Sequence, residues 1–374
     1  MKIFQWTRQK GYWIVQRGLY LLRPCKKNAA REVDIIYKPD AIGDFLLASG
    51  MIRELTRDNN HNWILLCSPE TRSLVAFYFP DLEVRVIHGS NSRNLLDGIK
   101  KVCSTWSFCR SIRIKQLVCL KNARSGMDHV LLNWLNPQNS YGLTASPIHP
   151  NCPASFKRFS FSHSLPYPGE RDAYPLEIYA HQALLEAFTS RKVEIEKIAP
   201  YLDLPKKSPV EKTLVLFPVT RSPLRNYPLE KLAECVRRFS EMHPRFRFIL
   251  SGTQSEKKQL ESFRELLPAD LDCEISLPAS ILDAAKLIQS AFVTLSMDSA
   301  PAHLAICLDR PGVFLLAGGQ YNHFAPWGNP EIHKWLTNQK PCFGCNWNCI
   351  YSQAVCLVDI PPNTIIHALD SLAQ

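Results

Sequence analysis

Three short segments carry glycine, hydroxyl, acidic and basic residues where an apolar run gives way to a helix-like pattern. The first is Pro39-Asp40-Ala41-Ile42-Gly43-Asp44. Gly43 permits close backbone approach, and Asp44 opens a helix at the carboxyl end of a strand, where ligands of open α/β sheets collect. A carboxylate there can take a proton from an attacking hydroxyl, or it can simply cap the helix. The second segment runs from Leu216 to Pro228 and contains Thr220, Arg221, Ser222 and Arg225. Hydroxyl and guanidinium donors of this kind hold phosphate oxygens, and the bland alternative is a solvated loop. The third is Leu295-Ser-Met-Asp298-Ser299-Ala300-Pro-Ala-His303. Asp298 or Ser299 precedes a helix whose free N–H groups and positive dipole end suit a diphosphate. Asp298 could instead accept from ribose hydroxyls. His303 lies one turn into the helix, facing the same anion or serving as an ordinary structural hydrogen-bonding residue.

These segments need elements to hold them. The run 33–38 reads as a strand, followed by a helix over 45–57 with Leu46, Leu47, Met51, Ile52 and Leu55 on one face. Strands are expected at 63–67, 84–87 and 116–120, with helices over 71–79, 94–106 and 128–135. The stretch 144–171 is rich in Pro, Ser, His and aromatics, lacks periodicity and reads as a long loop of the kind that is often functional. A helix follows over 174–188, and then a polar, proline-punctuated linker. From Thr213 the alternation resumes, with strands at 214–217, 246–250, 292–295 and 312–316. Helices fill 229–242, 255–267, 281–290 and 300–308. Strand–helix alternation indicates parallel sheets, and two Rossmann-like halves place a ligand cleft between them. The expected organisation is a basic amphipathic segment 1–32, a domain 33–190, a linker 191–212, a domain 213–360 and a helix 361–374.

The 374 residues suffice for two such cores, and 46% hydrophobic against 21% charged residues argues against extended disorder. A net charge of +10 favours anionic partners. In residues 1–32, Phe4, Trp6, Trp13 and Leu19 alternate with Arg8, Lys10, Arg17 and Arg23. No apolar run there approaches the roughly 20 residues of a spanning helix. The pattern suits a helix lying on an anionic membrane face, or one packing on its own domain.

Thirteen cysteines, an odd number without a secretory signal, argue against a disulfide framework. Cys342, Cys345, Cys349 and Cys356 form C-x2-C-x3-C-x6-C, the ligand count of a structural zinc site. Reduced or redox-active thiols are the other reading. The single Asp-x-Asp spacing, Asp270 to Asp272, falls in a polar loop and is a poor metal site.

Taken in order, the segments resemble glycosyltransferase family 9, the ADP-heptose:lipopolysaccharide heptosyltransferases. Asp40-Ala-Ile-Gly-Asp44-Phe-Leu-Leu47 looks like the family's N-terminal signature, and Ser296-Met-Asp-Ser-Ala-Pro-Ala-His-Leu-Ala305 resembles its Ser-Asn-Asp-Thr-Gly-Pro-x-His-Leu-Ala segment. Arg225-Asn-Tyr-Pro228, Gly252-x-x-x-Glu256 and residues 310–328 fit in the family order. The resemblance implies an α/β fold of GT-B type and inverting transfer with no cofactor required. It implies Asp44 as catalytic base and Arg225, in place of the usual lysine, beside the leaving diphosphate. Thr220 falls in the phosphate loop, Glu256 and Asp298 match nucleotide-contacting acids, and His303 matches a histidine near the phosphates. Ser299-Ala300 replaces Thr-Gly, the 217–228 loop is one residue longer, and the usual His or Gly near 217–219 is absent. Ala300 therefore adds a Cβ where backbone meets ligand, which bears on donor identity.

The expected enzyme moves a sugar from a nucleotide diphosphate donor, ADP-heptose or similar, to an anionic glycolipid or glycan acceptor such as a lipopolysaccharide core. It would act in the cytoplasm, with peripheral contact at the inner membrane and no nucleic-acid partner. A nucleotide-sugar-binding protein without catalysis is the second reading. A zinc-containing nucleic-acid-binding protein is the third, and the absence of an aromatic-interleaved basic stripe beyond the N-terminus speaks against it.

Overall fold

The computed structural model describes Leu19, Pro24 and residues 31–58, 60–87, 95–144, 159–168, 174–205 and 212–374. Most of the basic segment 1–32 and most of the expected loop 144–171 lie outside the described residues. What is described forms two compact units. One comprises the described residues up to Ala41, with Met51–Pro168 and Ala180–Ile198; the other comprises Ile42–Gly50, Gly169–Tyr179 and Ala199–Gln374. Gly43 and Asp44 are thus grouped with the second unit.

In the first unit, β1 (Arg31–Lys38) is buried at every position from Val33 to Lys38. A strand covered on both faces belongs at the centre of a parallel sheet. It pairs in parallel with β2 (Trp63–Cys67) and β4 (Ile112–Cys119). The half-exposed β3 (Glu83–Val86) forms one edge, and β5 (Asn139–Leu143) and β6 (His163–Leu165) complete the other side. The order is β3-β2-β1-β4-β5-β6. Helices Ile42–Thr56, Arg72–Tyr78, Leu95–Ser111, Gly126–Leu135 and Leu176–Thr189 alternate with or follow these strands.

The second sheet contains β7 (Thr213–Phe217), β8 (Arg247–Ser251), β9 (Cys273–Ser276), β10 (Val293–Met297), β11 (Gly312–Leu315) and β12 (His333–Leu336). Its order, β12-β11-β10-β7-β8-β9, repeats that of the first sheet when its strands are counted from β7. Helix Leu229–Met242 turns Leu232, Cys235, Val236 and Phe239 into the core, the spacing of one helical face. Helix Pro362–Ala373 packs on it. Tyr227 Oη donates to the Ile360 carbonyl at 2.6 Å, Lys231 Nζ to that of Val358 at 2.9 Å, and His243 meets Asp370 at 2.9 Å.

The architecture is the expected α/β one, with four strands more than the sequence suggested. β6 lies inside the stretch expected to be a loop, so 144–171 is not wholly irregular. Ser162 Oγ donates to the Ser140 carbonyl at 3.1 Å, and the Tyr141 and His163 rings stack at 4.4 Å, fixing β6 beside β5. β5, β9 and β12 also lack the apolar run of a central strand: they are short, carry polar residues and lie at or near sheet edges.

Candidate active site

An open sheet with this strand order has a switch point where its connections reverse direction, and ligands gather outside the carboxyl ends there. In the second unit that point lies between β7 and β10, which are in register at Phe217 and Ser296. Two of the three sequence segments leave from these strand ends.

The loop after β7 is shaped by its own polar groups. Thr220 N–H donates to Asn226 Oδ1 at 2.7 Å, and Thr220 Oγ1 lies 2.9 Å from Asn226 Oδ1 and 3.0 Å from the Ser222 carbonyl. Ser222 N–H donates back to Thr220 Oγ1 at 3.3 Å. The hydroxyl of Thr220 therefore builds the loop. Asn226, absent from the sequence-based site, is its clasp. A 3-10 turn, Pro223–Arg225, then presents Arg225, whose guanidinium carbon lies 4.4 Å from the centre of the Trp347 ring. Arg221 is exposed and Ser222 half-buried.

After β10, Asp298 N–H donates to the Leu315 carbonyl at 2.9 Å, holding the turn against β11. Ser299 takes the N-cap position of helix Ala300–Cys307 but makes no side-chain cap; its Oγ donates to the Met297 carbonyl at 3.2 Å. The positive end of this helix is thus left without a side-chain acceptor. Burial pushes the Asp298 carboxyl above its ordinary range, against the opposite pull of Arg225.

His303 is buried between Trp327, at 6.0 Å between ring centres, and Trp335, at 6.2 Å. Burial, with Arg225 adding to it, lowers its pKa to about 4, so the ring is neutral near pH 7. The Trp327 indole N–H lies 2.9 Å from His303 Nδ1. An indole N–H can only donate, so Nδ1 accepts and the proton of the neutral ring sits on Nε2. That Nε2–H is 3.9 Å from Asp298 Oδ1. It also neighbours Gly43, where an added Cβ would come within 3.0 Å of His303 Cδ2 and 3.5 Å of Nε2. The glycine preceding Asp44 is what lets this ring approach. Asp44 occupies the first turn of helix Ile42–Thr56; the N-cap is Ala41, so Asp44 is not the capping residue.

Arg225, Asp298, His303 and Gly43 are therefore brought together, with Ala300 and Ser299 at the adjoining helix start. Glu256 has a local account: its Oε2 accepts from Thr253 N–H at 2.7 Å and from Thr253 Oγ1 at 2.8 Å, a capping box folded over Gly252.

The charges at the first unit's switch point are far apart in sequence and meet only in the fold. Lys38 at the end of β1 is wholly buried and lies 3.0 Å from Asp40. Lys121, just beyond β4, lies 3.5 Å from Asp40 and 3.2 Å from Asp128. Tyr37 Oη donates to Asp128 Oδ1 at 2.8 Å, and Ser68 Oγ to the Asp40 carbonyl at 2.7 Å. Burial alone would raise the Asp40 pKa, but Lys38 and Lys121 overcome it and hold the carboxyl ionised.

Residues 172–350 match the sequence model described as Glycosyltransferase family 9 (heptosyltransferase). This span contains the loop, the Asp298–His303 turn and both tryptophans. This half of the chain is therefore similar to the family 9 glycosyltransferases. The chain's fold is that of GT-B heptosyltransferases. A family 9 glycosyl transferase from Veillonella parvula superposes with a TM-score of 0.68 at 11% identity, covering 92% of this chain and 97% of that one. E. coli heptosyltransferase WaaC, solved with ADP-2-deoxy-2-fluoro heptose, gives 0.62 at 14% identity over 91% and 99%. The iron-containing dodecameric glycosyltransferase TibC of enterotoxigenic E. coli gives 0.53 at 10% identity over 91% and 76%. No curated protein matches the sequence.

Cys342, Cys345, Cys349 and Cys356 line one small cavity together with Leu224, Phe343 and Trp347. Among the described residues no group of three or more His, Cys, Asp or Glu is placed to hold a metal ion. The thiols as placed do not form the expected zinc set. Cys356 Sγ instead accepts from Gly318 N–H at 3.3 Å, and Cys349 Sγ lies 3.4 Å from the Gln353 carbonyl. Among the described residues no helix is long and apolar enough to cross a membrane.

Proposed function

We propose that the protein transfers a sugar, with inversion, from a nucleotide diphosphate donor of the ADP-heptose kind to a hydroxyl of a glycan or glycolipid acceptor. The observation that supports this most is the convergence of Arg225, Asp298, His303 and Gly43 outside the β7–β10 switch point. The guanidinium of Arg225 and the uncapped start of helix Ala300–Cys307 are fixed positive groups suited to a departing diphosphate. They offer what a divalent cation would otherwise supply, so the reading is metal-independent. The neutral His303 contributes an Nε2–H donor and not a proton-transfer group. Asp298 or Glu256 would take the hydroxyls of the nucleoside.

Asp44, next to Gly43, accepts the acceptor's proton as its oxygen attacks the anomeric carbon. The bond from that carbon to the diphosphate oxygen breaks, and the electron pair leaves with the diphosphate. An Asp-to-Asn change keeps size and removes basicity, so Asp44→Asn should abolish transfer while donor binding, read by thermal shift, survives. Retained turnover would remove Asp44 from the role of base. Nucleotide-sugar binding by the wild-type protein without transfer to any glycolipid would favour a binding protein. The basic segment 1–32 would bring the enzyme to anionic acceptors on the inner membrane face, from the cytoplasmic side.

A further inference from the structure

We propose that Trp347 is a positioning residue for this reaction: its indole face holds the guanidinium of Arg225 flat and turned to the diphosphate. The inference rests on the reading of Arg225 given above. In sequence the thiols are the conspicuous feature of segment 342–356. In the structure its aromatic residues are what reach the site.

Trp347 is held from three sides. Its ring lies on the backbone of Gly319, so closely that an added Cβ would fall 2.6 Å from Trp347 Cδ2. Phe343 covers Gly318 in the same manner. Gly344 N–H donates to the Gly318 carbonyl and Asn346 N–H to the Gly319 carbonyl, each at 2.8 Å, and Gln320 Nε2 donates to Asn346 Oδ1 at 3.2 Å. The segment is therefore stitched to the turn after β11, beside the switch point. The backbone pays for this placement: Asn346 and Trp347 have φ of 49° and 64°, the left-handed region that a bulky residue such as tryptophan rarely adopts. Two consecutive residues in that region aim the indole at the 3-10 turn carrying Arg225.

A guanidinium stacks on an aromatic face with its N–H edge directed outward, whereas an ammonium has no plane to align. Among the described residues Arg225 forms no ion pair at hydrogen-bonding distance, so the ring is what orders it. Where lysine would be a mobile point charge, arginine on tryptophan is a fixed fork. Trp347 is thus the structural counterpart of having Arg at 225.

The test compares Trp347→Leu, which keeps apolar packing, Trp347→Phe, which keeps a π face, and Arg225→Lys, singly and combined. Melting temperatures report folding, and steady-state transfer gives kcat and donor KM. Misorientation of a charge acting on the transition state should lower kcat on the order of tenfold to a hundredfold in Trp347→Leu, with donor KM changing less. Trp347→Phe should recover most of that loss. In the Arg225→Lys background, Trp347→Leu should cost little more. An unchanged kcat in Trp347→Leu, failure of Phe to rescue a folded protein, or equal losses in the Arg and Lys backgrounds would each overturn the proposal. Arg225→Ala separates the two readings: if it leaves transfer intact, the role of Arg225 fails, and if it alone abolishes transfer while Trp347→Leu does not, only the positioning role fails.

Discussion

The two sheets share one strand order, yet their switch points are finished differently. In the first unit the charges close on one another: Lys38, Asp40, Lys121 and Asp128 each have an opposite charge within 3.5 Å. In the second, Arg225 rests on an aromatic face, Asp298 is pushed toward its neutral form, and His303 is held neutral. A closed set is saturated and supports the fold. An open set keeps donors for something else. Buried charge at the right topological place is thus not enough to mark a ligand site; unmatched sign is.

The sharpest way to separate the two is to remove one carboxylate function from the site. Asp44→Asn should lower the transfer rate on the order of 10²–10⁴-fold with folding unaffected, as read by a labelled-donor transfer assay and a melting curve. The corresponding experiment in the closed set should hit stability instead. Lys121→Met leaves the buried Asp128 without its cation and Asp40 with Lys38 alone, and should cost about 3 kcal/mol in denaturant unfolding. A small effect there would mean that the first unit's charges are not a structural unit.

The neutral His303 gives the comparison a pH signature. Its folded pKa, about 4, lies below the unfolded value of 6.5, so between these values the unfolded chain takes the proton first. Stability therefore falls as pH drops through that window, by at most roughly 3 kcal/mol from this group. Stability curves at pH 7 and pH 4.5 should show this component in the wild type and lack it in His303→Gln. The smallest effect should come from Gly43→Ala. The added Cβ presses on His303 while the helix gains propensity, so stability should change by less than about 1 kcal/mol. Nucleotide affinity, measured by calorimetry, should fall about fivefold.

Much of this was legible in the sequence because central parallel strands announce themselves. Residues 33–38 and 213–217 are short, largely apolar, β-branched-rich runs ending in turns that carry chemistry. Asp298, His303 and Arg225 could be read because each sits next to such a strand or in the loop that leaves it. β5, Asn139-Ser-Tyr-Gly-Leu143, could not, since its place depends on Ser162 and on the Phe161 ring lying against Gly142. The Lys38–Asp128 cluster was hidden for a related reason: its members are distant in sequence and meet only when β1 and β4 pair. Asn226 and Trp347 were passed over because an amide and an indole carry no spacing rule, and their roles arise from what they touch. The thiol spacing suggested metal, while the fold spends the same segment on aromatic packing.

The contacts that tie Tyr227, Lys231 and His243 to residues 358–370 have a kinetic meaning. They join positions more than a hundred residues apart, and closing so long a chain loop is slow compared with forming local helices. The loop carrying Arg225 leads directly into the helix they anchor. Ordering of the 217–228 loop should then rank among the last events as the second unit folds, so recovery of nucleotide binding would lag behind recovery of helical signal on refolding.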